Sequence, residues 1–337
     1  MRDDAARHLL RSPRVVLAVG ALLGLALASS VDAAGPIGTV DGPATASNVA
    51  VRLTPPAGPT VGGCRVFPTD NPWNVDISKA PLNTRSASII SWINARGATK
   101  LHPDFGSDPS YGIPFSVVPQ SQANLPVRYD AYGDESDPGP FPIPLSTPVE
   151  AGSDGHALVV QQGTCRLFEL YQARHDGVTG WVASSGATWN LGSNALRPIG
   201  WTSADAAGLP ILPGLVRYDE VAAGQVLHAI RVTFSQTRKG FILPATHYAS
   251  SNTSIDAPPM GMRLRLKASY DISTLTGPAK VIAVAMQHYG LIVADNGSNW
   301  YFQGGTDPRW DDTSLDQLKS IPGTAFEVVD SGPVRTS

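Results

Sequence analysis

The clearest indication of the fold comes from HAIRVTF at residues 228–234 and MRLRLKAS at residues 262–269. Both alternate large apolar residues with polar or small ones, which is the period-two pattern of a β-strand. In the first stretch, Arg231 and Thr233 share the face opposite the apolar residues. In the second, three cations face away from the leucines. The surrounding segment, residues 201–271, concentrates titratable groups on apolar sequence, so we expect both the sheet and the functional site to be built from it.

Strand patterns also dominate the rest of the chain. Residues 156–173 (HALVVQQGTCRLFELYQA) are typical of two strands joined by a hairpin at Gly163. Helical spacing occurs only over residues 86–96, residues 278–289 and a last short segment that ends at Lys319. Regular alternation of strands and helices is absent, which excludes a doubly wound parallel sheet. The sequence therefore predicts a mainly β fold, a β-sandwich or jelly-roll with a few short peripheral helices.

The N-terminus has the organisation of a secretory signal peptide. Arginines form a positive region before an apolar run over residues 15–28, and Ala33 ends a small-x-small cleavage pattern. We therefore expect residues 1–33 to be a signal peptide, residues 34–63 a disordered linker and residues 64–331 a single β-rich domain. The mature protein should be secreted and extracellular, without a membrane span after signal cleavage.

Cys64 and Cys165 are the only two cysteines of the chain. In an exported protein such a pair predicts a disulfide. The bond would close a loop of roughly 100 residues, worth ~4–5 kcal/mol in chain-entropy models. Because it would join the start of the domain to its middle, it favours one domain over two.

Charge and missing motifs exclude several classes of function. The net charge of −3 gives no general attraction to nucleic acid, so no nucleic-acid partner is expected. The chain has no Gly-x-Ser-x-Gly elbow and no HExxH motif. Two cysteines cannot form a four-sulfur zinc site. We expect a monomer whose partner is a polysaccharide or another glycan.

Five segments resemble a family of secreted bacterial proteins that have no assigned reaction. They are SNALRP (193–198), GWTSADAAGLPILPGLVRYDEV (200–221), HAIR (228–231), MGMRLRLKASYDIS (260–273) and YGLIVADNGSNWY (289–301). The resemblance covers nearly the whole mature domain and implies an exported protein, but it carries no mechanism with it.

The chain is also similar, more weakly, to the jelly-roll alginate lyases, a class of polysaccharide lyases. Those enzymes carry an arginine-bearing strand, a Gln-x-His strand and a Tyr/Lys strand in that order. Arg217 with Glu220, then residues 225–228, then residues 267–270 follow the same order. The middle element here is QVLH, one residue longer than the motif, which changes the face on which His228 lies.

The candidate catalytic residues follow from two chemistries. Elimination from a uronate needs a cation to neutralise the carboxylate and a His or Tyr base. Glycoside hydrolysis needs two carboxyl groups about 5–10 Å apart. Glu169 lies on a predicted strand and is interpreted as an outward-facing residue rather than an acid. The predicted catalytic residues are Glu220, His228, His247, Asp295 and Arg217.

A second set is predicted to bind substrate. Aromatic rings stack on the apolar face of a sugar, amides and carboxylates bind its hydroxyls, and cations bind carboxylates or sulfates. The alternative is that the tryptophans pack inside their own loops and that the cations face solvent. The predicted substrate-binding residues are Trp189, Asn194, Trp201, Asp205, Arg265, Lys267 and Trp310.

No cofactor or catalytic metal is expected. Asp134, Glu135 and Asp137 are closely spaced oxygen ligands, so a structural calcium is the alternative to a solvated loop tip there. The two candidate histidines with Asp295 are the set that could hold another metal.

The sequence therefore predicts a secreted carbohydrate-active enzyme that degrades a polysaccharide, with hydrolysis and elimination not separated. The alternative is a non-catalytic carbohydrate-binding or cell-envelope protein. A cleft that joins His228, His247 and Asp295 would favour the enzyme. A flat, outward-facing tryptophan surface would favour the binding protein.

Overall fold

The structure, a computed structural model, describes residues 58–337. The predicted signal peptide and residues 34–57 of the predicted linker lie outside the described residues. The strands are β1 (Thr60–Val61), β2 (Cys64–Arg65), β3 (His102–Pro103), β4 (Phe115–Val118), β5 (Val127–Tyr129), β6 (Ala157–Gln161), β7 (Arg166–Tyr171), β8 (Arg174–Asp176), β9 (Gly180–Ala183), β10 (Ser185–Asn190), β11 (Ile230–Phe234), β12 (Arg263–Leu266), β13 (Leu291–Asn296), β14 (Tyr301–Phe302) and β15 (Phe326–Val328). The α-helices are α1 (Ser86–Asn94), α2 (Tyr218–Ala222), α3 (Gly277–His288) and α4 (Asp312–Asp316).

The largest sheet is mixed and has six strands in the order β15-β12-β13-β11-β14-β3. At its centre β11 runs parallel to β13. Every residue of β11 is buried, so Arg231 and Thr233 lie inside the protein together with their apolar neighbours. The alternation expected for this strand is present, but both of its faces are covered.

The register between β11 and β13 shifts by one residue. Val232 pairs with Val293, but the next residue, Thr233, pairs with Asp295 and leaves Ala294 unpaired. Successive side chains of a strand point to opposite faces. The extra residue therefore turns Asp295 onto the face that carries Thr233 and Arg231, which is a known effect of a β-bulge.

Three smaller sheets complete the β structure. One has four strands in the order β10-β7-β6-β4, and its antiparallel β6–β7 pair is the hairpin predicted around Gly163. A second has the order β5-β9-β8, and a third is the β1–β2 pair. Every residue of β6 is buried, four aliphatic residues followed by Gln161.

A disulfide joins Cys64 to Cys165 across 101 residues of sequence, as predicted. It connects β2 to the turn of the β6–β7 hairpin, so it fixes the start of the described chain to the four-stranded sheet. Disulfides of this kind are typical of proteins from oxidising compartments. None of the helices within residues 58–337 has the length and apolar character that crossing a bilayer requires.

The prediction of a mainly β fold of sandwich or jelly-roll type with a few short helices is confirmed. Helices α1, α3 and α4 lie where helical spacing was predicted, whereas the single turn of α2 was not predicted. The described structure also extends past both predicted domain bounds. β1 begins at Thr60, and Arg335 forms a bridge with Phe241.

Candidate functional site

A cavity of about 310 Å³ opens where several loops meet the end of β13. Tyr132 and Glu135 come from the loop after β5, Asp154 from the loop before β6, and residues 202–206 from the loop after β10. The lining includes four carboxyl groups, those of Glu135, Asp154, Asp205 and Asp295. Such a concave, polar site with converging acids is a natural candidate for chemistry.

Two of these carboxyl groups, those of Asp205 and Asp295, lie beside the guanidinium group of Arg231. We call this part of the cavity its floor. Arg231 Nη2 lies 2.9 Å from Asp205 Oδ1 and 3.9 Å from Asp295 Oδ2. Arg231 Nε also donates a hydrogen bond of 3.3 Å to Asp205 Oδ2. The side chains of Arg231 and Asp205 are 3% and 0% exposed, and that of Asp295 is 27% exposed. The result is a buried ion pair beside an acid that faces the cavity.

Asp205 is held in place by a tight turn. Its backbone N–H donates to Ser203 Oγ at 2.9 Å, and the N–H of Gly208 donates to its carbonyl at 3.0 Å. Gly208 has a φ of +69°, and a Cβ there would lie 2.2 Å from Thr246 Oγ1. Only glycine fits that position, so the turn that presents Asp205 to Arg231 depends on it.

Burial raises the pKa of both acids, and the two differ in how closely Arg231 approaches them. Burial, together with the charge of Asp205, raises the pKa of Asp295 to about 7. Burial also raises the pKa of Asp205, but the adjacent Arg231 opposes that rise. Near neutral pH the floor thus holds one carboxyl group that can give a proton and one that is matched by a cation. Two acids with separated roles are what acid-assisted bond cleavage requires.

His247 and Tyr171 line the walls above this floor. His247 Nδ1 lies 2.7 Å from Ala206 O, and a carbonyl can only accept, so Nδ1 carries the hydrogen in that bond. Burial raises the pKa of Tyr171, and the charges of Asp154 and Asp295 raise it further. The Tyr171 phenol therefore stays protonated and can donate a hydrogen bond to a ligand.

His156 lies behind the floor with both ring nitrogens facing acceptors. Nε2 lies 3.0 Å from Ala204 O, and Nδ1 contacts the Glu150 carboxylate. Burial lowers the pKa of His156, but the hydrogen bond to Glu150 outweighs it and the pKa is raised. The resulting positive charge lowers the pKa of both Asp205 and Asp295. His156 is thus an electrostatic neighbour of the acids although it does not line the cavity.

Glu220, Arg217 and His228 form a second cluster that does not line the cavity. Glu220 accepts from Arg217 Nη2 at 2.6 Å, and its other oxygen lies 2.9 Å from His228 Nε2. Arg217 Nη1 also donates to two backbone carbonyls, and His228 Nδ1 donates to the carbonyl of the next residue. Burial raises the pKa of Glu220, but Arg217 and His228 outweigh it, so the pKa is lowered. Both Glu220 oxygens, both His228 ring nitrogens and the two terminal Arg217 nitrogens face partners, which is the pattern of a structural network.

The predicted substrate-binding cations and amide lie elsewhere. Arg265 Nε donates to Glu327 at 2.8 Å, and Lys267 Nζ donates to a backbone carbonyl at 2.8 Å. Asn194 makes hydrogen bonds with the side chains of residues 70–71. These groups do not line the cavity, so the structure does not bring them together with the acids.

The predicted tryptophans do not form a flat exposed surface. Trp189 and Trp310 are buried and belong to the core. Trp201 is half-buried and lies 5.6 Å from the Arg197 guanidinium group. Trp189 belongs to strand β10 rather than to a loop, and these rings pack against their own surroundings, as in the alternative considered above.

Glu169 is fully buried, so its interpretation as an outward-facing residue is wrong. Its carboxylate accepts hydrogen bonds of 2.9 Å from the N–H groups of Ile211 and Leu212 and one of 3.2 Å from Trp189 Nε1. Both faces of β7 are covered, so alternation along the strand does not indicate an exposed side. Glu169 anchors the loop after β10 to the four-stranded sheet.

The carboxylates predicted as calcium ligands are directed to protein groups or to solvent. Asp137 accepts from Arg197 Nη1 at 2.7 Å, and Glu135 accepts from the N–H of Thr202 at 2.9 Å. Asp134 is exposed. Across residues 58–337, no three or more His, Cys, Asp or Glu side chains converge to hold a metal ion.

The structure brings together three of the predicted site residues, Asp205, His247 and Asp295. It adds Arg231 and Tyr171, which the sequence did not single out. A cation inside an otherwise β-branched and aromatic strand was the available signal for Arg231. Comparison of the chain with protein-family models, with curated proteins and with solved structures finds no match.

Proposed function

We propose that the protein is a secreted glycoside hydrolase, with Asp295 as the general acid and Asp205 as the second carboxylate. The observation that carries the proposal is the meeting of these two groups on Arg231 at the floor of an open cavity. Because both oxygens contact the same nitrogen, their separation cannot exceed the sum of the two distances. This upper limit, about 6.8 Å, is compatible with the carboxyl separation of about 5–5.5 Å found in retaining glycoside hydrolases.

Each group has a defined role in this reaction. Asp295 donates its proton to the glycosidic oxygen as the bond to the anomeric carbon breaks, so the leaving sugar departs as a neutral alcohol. The anomeric carbon becomes positively charged, and the Asp205 carboxylate stabilises that charge. Water then adds to the anomeric carbon and returns a proton to Asp295. Arg231 pairs with the Asp205 carboxyl group at this buried position and opposes the rise of its pKa.

The charges around the cavity favour hydrolysis over elimination. A uronate lyase needs a cation that faces the substrate carboxylate. Among the described residues, no lysine or arginine lines the cavity, and Arg231 beneath it is matched by Asp205. Arg217 and Arg265, the cations predicted for this task, are engaged elsewhere. An acidic cavity would repel a uronate, so a neutral or cationic glycan is the better substrate.

Secretion is supported by the signal-peptide pattern at the N-terminus and by the Cys64–Cys165 disulfide. The alternative of a non-catalytic binding protein has less support, because the tryptophans that would form its binding surface are largely buried.

The test is an activity screen with the purified mature protein. Neutral, amino-sugar and uronic polysaccharides would be incubated with the wild type and with Asp295→Asn. New reducing ends and the ultraviolet absorbance of unsaturated uronate would be recorded together. We expect reducing ends without that absorbance, and loss of the signal in Asp295→Asn. Unsaturated products, or full activity in the variant, would overturn the proposal.

A further inference from the structure

The cavity is acidic well beyond what the cleavage step needs. Asp205 and Asp295 account for the proposed chemistry, yet Glu135 and Asp154 also line the cavity. No lysine or arginine within residues 58–337 lines it to balance them. A cavity with this excess of negative charge attracts cations and repels anions.

Asp154 has the features of a ligand-binding group. It is exposed at the cavity wall, and in the described part of the chain its carboxylate has no ion-pair partner. After burial, the charge of Asp154 raises the pKa of Tyr171, and Asp295 and Tyr132 raise it further. The carboxylates and the two tyrosine rings therefore line the same cavity. Carboxylates beside aromatic rings are the surroundings that an ammonium group prefers.

A buried oxygen on the floor gives an independent indication of a ligand. Asp205 is 1% exposed and lines the cavity. Its Oδ1 lies 2.9 Å from Arg231 Nη2, so the ion pair balances its charge, but this oxygen accepts no hydrogen bond from the protein. Buried oxygens that accept no hydrogen bond are uncommon. An N–H or O–H donor from a bound ligand would satisfy it.

We propose that this cavity recognises the protonated amine of an amino sugar, so that the substrate is a glycan containing unacetylated amino sugars. The inference rests on the proposed hydrolase function and names its substrate class. A volume of about 310 Å³ is at the small end of ligand pockets, so a short part of the glycan enters it. The acids are spread around the walls rather than gathered on one point, which suits an ammonium group on a sugar ring better than a metal ion.

The experiment compares three monosaccharides that the enzyme cannot cleave. Binding of D-glucosamine, D-glucose and N-acetyl-D-glucosamine to the wild-type mature protein would be measured by calorimetry at about pH 6, where a sugar amine is protonated. We expect glucosamine to bind about tenfold more tightly than either neutral sugar, with the preference reduced at high salt.

Two matched variants locate the effect. Asp154→Asn removes one charge from the cavity wall, and we expect it to lose most of the preference for glucosamine. Asp176→Asn removes the same charge from an exposed position of β8 outside the cavity, and it should keep the preference. Equal binding of the three sugars, no binding of glucosamine, an unchanged preference in Asp154→Asn, or displacement of glucosamine by calcium ions would each overturn the inference.

The same data separate this inference from the proposed function. Hydrolysis of neutral glycans without a preference for the amine would leave the hydrolase proposal intact and reject the substrate class. A preference for the amine without cleavage of any glycan would reject the hydrolase proposal and leave the recognition of the amine intact.

Discussion

The protein contains two clusters of similar composition, each with an arginine, a histidine and at least one carboxyl group, and they differ in their access to solvent. In the first, Glu220 binds Arg217 and His228, and both carboxylate oxygens and both imidazole nitrogens face protein partners. In the second, Asp205 binds Arg231, while Asp295 and His247 face a cavity.

The two clusters shift the pKa of their carboxyl groups in opposite directions. Glu220 is stabilised as a carboxylate, and its pKa is lowered. Burial, followed by the charge of Asp205, raises the pKa of Asp295 to about 7, and Arg231 at 3.9 Å offsets this only in part. A saturated cluster stabilises the fold, whereas an incompletely matched acid at a cavity can exchange protons with a substrate.

The largest effect is expected for activity when Asp295 is replaced. Asp295→Asn keeps the shape of the side chain but cannot donate a proton, so kcat should fall by about 10²–10⁴-fold. The measurement is the rate of reducing-end formation on the best glycan from the screen. Glu220→Gln is the matched control from the saturated cluster and should keep its kcat per folded molecule. Retention of more than about a tenth of the activity in Asp295→Asn would contradict the role of this acid.

The second effect concerns stability, which we expect Glu220→Gln to lower and Asp295→Asn to leave intact. Glu220→Gln leaves the buried Arg217 without a counter-ion, and we expect it to lower the free energy of unfolding by about 3 kcal/mol. Urea denaturation with the disulfide intact measures this loss. Asp295→Asn should not destabilise the protein, because it removes an acid that repels Asp205. Equal stabilities of the two variants would show that the clusters do not differ as described.

A third effect is the pH dependence of stability. The folded pKa of Asp295, about 7, lies above the unfolded value of about 3.9. The protonated acid therefore contributes stability that is fully present below about pH 4 and is lost as the pH rises through about 7. Asp295→Asn has no such loss. Relative to the wild type, it should gain at least about 1 kcal/mol between about pH 5 and pH 8. A difference that does not change with pH would contradict the raised pKa.

The smallest effect is expected from His156. Its positive charge lowers the pKa of Asp295, so His156→Gln should raise that pKa and keep the acid protonated to higher pH. The alkaline limb of kcat/KM should move upward by up to about one pH unit. His288→Gln, which changes an exposed histidine paired with Asp76, is the control and should leave the profile unchanged. A downward shift in His156→Gln would exclude a cationic His156.

The sheet could be predicted because its signals are local. Alternation in HAIRVTF correctly placed Arg231 and Thr233 on one face of β11. It could not show that this face is covered, because the loop that covers it carries Asp205, which lies 26 residues earlier in the chain. Glu169 illustrates the same limit, since its two backbone partners come from a loop more than 40 residues away.

The candidate site was predicted in part for the same reason. Glu220 lies three residues from Arg217 and eight from His228, so their contact follows from proximity in the chain. Proximity indicates that groups meet, but it does not indicate whether solvent reaches them. Asp205, His247 and Asp295 were chosen for their chemical type, and only the folded chain shows that they share a cavity.

Ala294, the β13 residue without a partner in β11, affects how this chain should be aligned with other sequences. Side chains alternate between the two faces of a strand, so inserting or deleting one residue of β13 before Asp295 moves its carboxyl group to the other face of the sheet. A homologue that keeps an aspartate in this alignment column but lacks the additional residue would direct it away from the guanidinium group. Deletion of Ala294 would do the same here without altering any reactive group, so a length change in β13 is as informative about activity as a substitution.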